Sequence, residues 1–122
     1  MKVNVIRSFL ALEAFVFFLA ALFHFGILAT GYEHQKAGTA ETVIGCVLAL
    51  GLILSFLSKE WTHRLAMTAQ GFALLGVFVG IIMITIGIGP RTPPDVLIHM
   101  LMVILLLLGL MTTHRYKRLL QK

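Results

Sequence analysis

Two histidines lie within otherwise apolar stretches of this sequence. His24 is in the first stretch, and His99 follows the proline-rich segment PRTPPD, about one turn into the last stretch. An imidazole can ligate a haem iron or a transition metal, or exchange hydrogen bonds with a ligand or a neighbouring helix. Polar side chains in lipid are costly and normally face the protein interior. These two residues are therefore the first candidates for a functional site.

Cys46 is predicted to lie at the same depth as the two histidines. With a rise of about 1.5 Å per helical residue, all three fall roughly 7–10 Å inside the same membrane boundary. His24 and His99 at matched depth are suited to be the axial ligands of haem b. With Cys46 they are suited instead to a soft metal such as Cu(I). Hydrogen bonding to a quinone or lipid headgroup would also explain the two histidines, and so would plain helix packing.

Asp95 has two expected roles. With Thr92 three residues earlier it forms a capping-box pattern, which predicts a helix start at Pro93. It also lies four residues before His99, on the same helical face. We expect it to orient the imidazole, as carboxylates do behind ligating histidines.

A second polar pair, Glu13 and Gln70, is expected nearer the opposite membrane boundary. Each lies six residues after an arginine, Arg7 or Arg64, which places both about 9 Å inside the membrane. A carboxyl and an amide that meet there satisfy each other's hydrogen bonds. The pair predicts either a structural lock between two helices or the polar constriction of a transporter or channel.

The elements that carry these residues are predicted to be apolar helices. Of the 122 residues, 59% are hydrophobic and 12% are charged, whereas a soluble domain carries about 25% charged residues. A run of about 20 apolar residues spans a bilayer. Runs of this kind occupy roughly 8–30, 40–58, 62–88 and 94–113. We predict an all-α integral membrane protein with one domain over 1–122, folded as an up-down antiparallel bundle of four transmembrane helices.

The basic residues predict the orientation. Eight of the ten Lys and Arg residues flank the side that carries both termini, and only Lys36 and Arg91 lie on the other. Because cytoplasmic loops are enriched in Lys and Arg, both termini are predicted to be cytoplasmic, in the inner or plasma membrane if the protein is bacterial. The polar connection 31–40, crowded by Glu33, His34 and Glu41, is expected to be a solvated loop on the opposite side.

The charge of +5 is explained by these membrane flanks, so we expect no binding to nucleic acid. The basic C-terminal tail, THRYKRLLQK, is instead expected to contact anionic lipid. The small-residue pattern Gly76-x-x-x-Gly80 favours close helix contacts. It is compatible with a homo-oligomer or with a place in a larger membrane complex.

The predicted function is non-catalytic. The sequence has no nucleophile elbow, zinc-protease motif, paired-cysteine motif or phosphate loop, and its extramembrane segments are too short for a catalytic domain. We expect a small accessory or scaffold subunit that acts through helix–helix contacts. A bis-histidine, quinol-linked electron-transfer protein of the cytochrome b kind is a second hypothesis. An oligomeric transporter or channel with Glu13 and Gln70 at its constriction is a third.

Overall fold

The computed structural model describes residues 2–120, and over these residues the fold is four helices. They are α1 (Lys2–His24), α2 (Gln35–Leu57), α3 (Thr62–Ile86) and α4 (Pro93–Leu120). Each helix is long and apolar enough to cross a membrane, so the chain is a multi-pass membrane protein. Residues 1 and 121–122, and the side chains of 2 and 118–120, lie outside the described part. The end of the tail that is expected to contact anionic lipid therefore lies there as well.

Glycines end two of the helices. Gly26 adopts a φ of 74° just after α1, and Gly87 adopts a φ of 87° just after α3. In both places the following amides turn back to carbonyls of the last helical turn, which is the Schellman ending that a left-handed glycine permits. α1 consequently ends at His24, six residues before the end of the predicted span 8–30, and His24 is its last helical residue.

The core consists of small and aliphatic side chains where the helices face one another. Large aliphatic and aromatic side chains cover the outside of the bundle, as expected for a surface in contact with lipid. Between helices in lipid, close packing and polar contacts replace the hydrophobic effect as the source of association. The core includes Ile6, Leu10, Ala14, Phe17, Leu48, Ala66, Ala69, Ala73, Met102 and Leu106.

The small residues of α3 receive side chains from neighbouring helices of the same chain. Gly76 packs against the Ile44 side chain of α2. Gly80 packs against the His99 imidazole of α4, so closely that a Cβ at this position would lie 2.8 Å from Nε2. The glycine pair predicted to allow close helix contacts thus accommodates one side chain from α2 and one from α4, and it helps to position His99.

Candidate functional site

The last residue of α1 meets the early turns of α2 and α4 in a buried cluster of ionisable side chains, here called the His24 cluster (His24, Glu41 and Asp95). Nδ1 of His24 lies 2.7 Å from Oε2 of Glu41, and Nε2 lies 2.8 Å from Oδ1 of Asp95. All three side chains are buried, His24 completely. One imidazole therefore ties three helices together.

The two hydrogen bonds of His24 constrain the protons in this cluster. An ionised carboxylate only accepts hydrogen bonds, and a neutral imidazole has a single N–H. Either His24 is an imidazolium that donates to both carboxylates, or one carboxyl group carries a proton and donates to a ring nitrogen. In both arrangements two protons are shared and the cluster has one net negative charge. Such a group is stable inside a protein only while its members stay paired.

Asp95 is fixed by the first turn of α4, which begins at Pro93 as the capping pattern predicted. Its Oδ2 accepts a hydrogen bond from the backbone N–H of Thr92 at 2.8 Å and another from the Thr92 hydroxyl. A carboxylate is also favoured by the partial positive charge at a helix N-terminus. The helix start therefore points the other carboxylate oxygen at His24.

His99 contacts the main chain of Asp95 rather than its carboxylate. Nδ1 of His99 lies 2.8 Å from the Asp95 carbonyl oxygen. Because a carbonyl can only accept, Nδ1 carries a hydrogen, and in the neutral form of the ring Nε2 is then an acceptor beside Gly80. The Asp95 backbone carbonyl thus orients His99, while the Asp95 carboxylate is hydrogen-bonded to His24.

A cavity of about 360 Å³ lies beside the His24 cluster. Its walls are mostly apolar, with Phe17, Ile44 and Met102 among them, and Glu41 and His99 are its inner polar residues. Oε1 of Glu41 is buried and has no hydrogen-bond partner among the described residues. Buried polar atoms in proteins are nearly always paired with protein, water or ligand, and Glu41, whose Oε1 lacks such a partner, lines the cavity.

The rim of the cavity is formed by the loops that precede α2 and follow α3. Nδ1 of His34 accepts a hydrogen bond from the Ala37 amide at 3.2 Å, and its Nε2 donates to the Ile88 carbonyl at 3.2 Å. Nδ1 of His34 thus caps the start of α2, while its Nε2 joins the loop before α2 to the loop after α3. Lys36 is exposed at the same rim.

The structure does not bring the three predicted metal ligands together. Cys46 is exposed on α2 and does not line the cavity, and both ring nitrogens of His24 contact carboxylates. Within residues 2–120, no three His, Cys, Asp or Glu side chains are arranged to hold a metal ion. Axial ligation of a haem by His24 and His99 requires His24 to give up its hydrogen bond to Glu41 or to Asp95.

Glu13 and Gln70 are brought together in a second buried group, here called the Glu13 cluster (Glu13, Gln70 and Thr113). Nε2 of Gln70 lies 3.0 Å and 3.1 Å from the two carboxyl oxygens of Glu13. The Thr113 hydroxyl donates to Oε1 of Gln70 at 3.1 Å. All three side chains are fully buried. The hydrogen bonds thus join α1, α3 and α4.

Gly109 of α4 closes the space around the Glu13 cluster. A Cβ at this position would overlap both Oε1 of Glu13 and Nε2 of Gln70. Gly109→Ala is therefore expected to lower the free energy of unfolding by about 1–3 kcal/mol, as overpacking of a dense core does. Unfolding of the purified protein in mild detergent, followed by circular dichroism, measures this difference.

Gly71→Ala on α3 is the matched control for that substitution. A Cβ there meets no atom within 4 Å, and alanine has the higher helix propensity, so the variant should be as stable as the parent or slightly more stable. If both alanine variants unfolded alike, the close packing around Glu13 would be refuted.

Glu41 is the residue of the site that the sequence interpretation missed, because it was assigned to a solvated loop. α2 begins at Gln35, so Glu41 lies inside the helix and is buried. A signal was present in the spacing: Gly38, Glu41, Gly45 and Leu48 recur at three- or four-residue intervals on one helical face. The two small residues on that face indicate that it packs against another helix.

No protein-family model, curated protein or solved structure matches this chain. The geometry offers a mostly apolar cavity with Glu41 and His99 in its wall, and both residues are held by hydrogen bonds to His24 or to the Asp95 carbonyl.

Proposed function

We propose that this protein is a non-catalytic membrane protein that binds a small lipid-soluble molecule in the cavity beside the His24 cluster. The observation that carries the proposal is the buried Oε1 of Glu41, which has no partner among the described residues and belongs to a residue of the cavity wall. Ligand sites combine mostly apolar walls with a few fixed polar atoms, in volumes of about 300–1,000 Å³. The cavity of about 360 Å³ falls within that range.

In this proposal the helices form an up-down antiparallel bundle with both termini cytoplasmic. Two sets of contacts support the alternating directions. The end of α1 meets the early turns of α2 and α4 at the His24 cluster, and Arg7 near the start of α1 donates from Nε to Oγ of Ser55 near the end of α2 at 3.1 Å. The distribution of basic residues supports the orientation. The cavity then lies near the outer membrane boundary.

The accessory or scaffold role, the homo-oligomer or larger complex and the contact with anionic lipid stay predictions, and ligand binding is compatible with each. The haem and transporter hypotheses also stay predictions, but the geometry supports them less. Both nitrogens of His24 are engaged by carboxylates. Gly109 packs directly against the side chains of Glu13 and Gln70, which also bond to each other.

A cavity-filling substitution tests the proposed binding. Ala40 lines the cavity and is itself exposed, so Ala40→Phe fills space without displacing buried side chains. The full-length protein in mild detergent, titrated with the probe 1-naphthol, should show saturable thermal stabilisation, worth about 1.4 kcal/mol at ten times the Kd. Ala40→Phe should abolish this stabilisation.

Thr39→Phe provides the matched control, because Thr39 is the neighbouring exposed residue of α2 and does not line the cavity. It should bind the probe as the parent does. Absence of saturable stabilisation in the parent, or equal stabilisation in Ala40→Phe, would show that the cavity is not a binding site.

A further inference from the structure

We infer that the ligand is a neutral hydroxyl compound, of the phenol or hydroquinone class, which donates its O–H to acceptors on Glu41 and His99. This inference rests on the proposed function and adds to it the chemical class of the ligand. It follows from where the hydrogens lie on the polar atoms of the cavity wall.

His99 presents an acceptor. Its Nδ1 hydrogen is used in the bond to the Asp95 carbonyl at 2.8 Å, so the neutral form of the ring has its lone pair on Nε2. Because Gly80 has no side chain, the ring packs directly against α3. The ring is therefore held in one orientation on the cavity wall.

Glu41 also presents an acceptor. If His24 is an imidazolium, Glu41 is an ionised carboxylate and Oε1 bears no hydrogen. If the second shared proton belongs to a carboxyl group instead, it lies on the oxygen that faces His24, which is Oε2 of Glu41 or Oδ1 of Asp95. Each arrangement of the two shared protons leaves Oε1 as an acceptor.

The donors near the cavity are not available at this depth. The Nε2 hydrogen of His34 is used by the Ile88 carbonyl, and Lys36 is exposed at the rim. A ketone or ether oxygen inside the cavity would face lone pairs only, whereas a hydroxyl group pairs with them. The walls are mostly apolar, so a cationic donor would lose its hydration to them at a far higher free-energy cost than a neutral hydroxyl, and a neutral hydroxyl is the donor that fits.

The apolar walls favour an aromatic body for this ligand. Phe17, Met83 and Met102 line the cavity, and methionine sulfur makes favourable contacts with aromatic rings while its flexible chain adapts to their shape. A compact aromatic ring that carries one or two hydroxyl groups matches both the walls and the acceptors.

The test compares 1-naphthol with 1-methoxynaphthalene, which has the same ring system but no O–H. Saturable thermal stabilisation of the full-length protein in detergent gives both dissociation constants. The naphthol is expected to bind at least about tenfold more tightly, because the methyl ether leaves the buried acceptors unpaired. The wild-type comparison alone decides the ligand class, so the result does not depend on whether a variant folds.

His99→Phe then identifies one of the acceptors. It keeps a planar ring next to Gly80 but removes Nε2, so the advantage of the naphthol over the ether should fall at least about threefold. Cys46→Ala, at an exposed position away from the cavity, should keep the wild-type ratio. An undiminished ratio in His99→Phe overturns the role of His99.

Three further results separate this inference from the function on which it rests. Equal saturable binding of naphthol and ether overturns the hydroxyl class while the cavity remains a binding site. Tighter binding of 1-naphthylmethylamine than of 1-naphthol overturns the neutral ligand in favour of a cation. Failure of all three probes to bind overturns the binding site and the ligand class together.

Discussion

Replacement of His24 by leucine is expected to lower the free energy of unfolding by about 3–5 kcal/mol, the loss typical of a broken buried ion pair. The substitution leaves Glu41 and Asp95 buried without the imidazole that joins them. Glu41 then has no hydrogen-bond partner among the described residues, and Asp95 keeps only its bonds to Thr92, so both carboxylates carry the free-energy penalty of desolvated acceptors. Unfolding in mild detergent, followed by circular dichroism, measures the loss.

A rescue variant shows whether the loss comes from charge rather than from the missing ring. Glu41→Gln and Asp95→Asn, added to His24→Leu, remove the negative charges and should recover at least about half of the lost stability, because neutral amides need no counter-charge. The control is His114→Leu, at an exposed position of α4, which should change stability by less than about 0.5 kcal/mol. A His24→Leu protein as stable as this control would disprove the paired cluster.

The four helices were predictable from the sequence because the hydropathy of a segment is the sum of contributions from its own residues. A run of apolar residues is apparent whatever its neighbours do, and all four helices observed in residues 2–120 match predicted spans, with shifted ends. The start of α4 at Pro93 was predictable for a local reason, since Thr92 and Asp95 satisfy the backbone of their own first turn.

The start of α2 was not predictable in the same way. Hydropathy averages treat a carboxylate as polar whether water or a buried histidine satisfies it, so the predicted span 40–58 put its outer boundary beside Glu41. The helix in fact begins at Gln35. The pairing of Glu41 with His24 is a property of two helices together, and no window along one of them contains it.

The spacing of Asp95 and His99 correctly predicted that they share a helical face. The predicted contact was with the Asp95 carboxylate, whereas His99 bonds the Asp95 backbone carbonyl. A separation of four residues brings two side chains near each other, yet it does not determine which rotamer wins when another helix offers a partner. Here the Asp95 carboxylate is hydrogen-bonded to His24, which is 71 residues away in sequence. Depth counting from basic flanks was more useful, because it placed Glu13 and Gln70, 57 residues apart, at the same level of the bundle.

Replacement of Gln70 by leucine is expected to lower the free energy of unfolding by about 3–5 kcal/mol, because it removes the amide that bonds both oxygens of Glu13 and accepts from Thr113. The double variant Glu13→Leu/Gln70→Leu should recover most of this loss, since apolar side chains that replace both partners leave only Thr113 to be satisfied. The double-mutant cycle therefore predicts a coupling energy of about 2–3 kcal/mol between the two positions.

A transporter constriction at the same two residues predicts a much smaller coupling. Water in the constriction would hydrogen-bond to each side chain, and the coupling energy would fall below about 0.5 kcal/mol. The size of this coupling thus distinguishes a dry lock between α1 and α3 from a hydrated path through the bundle.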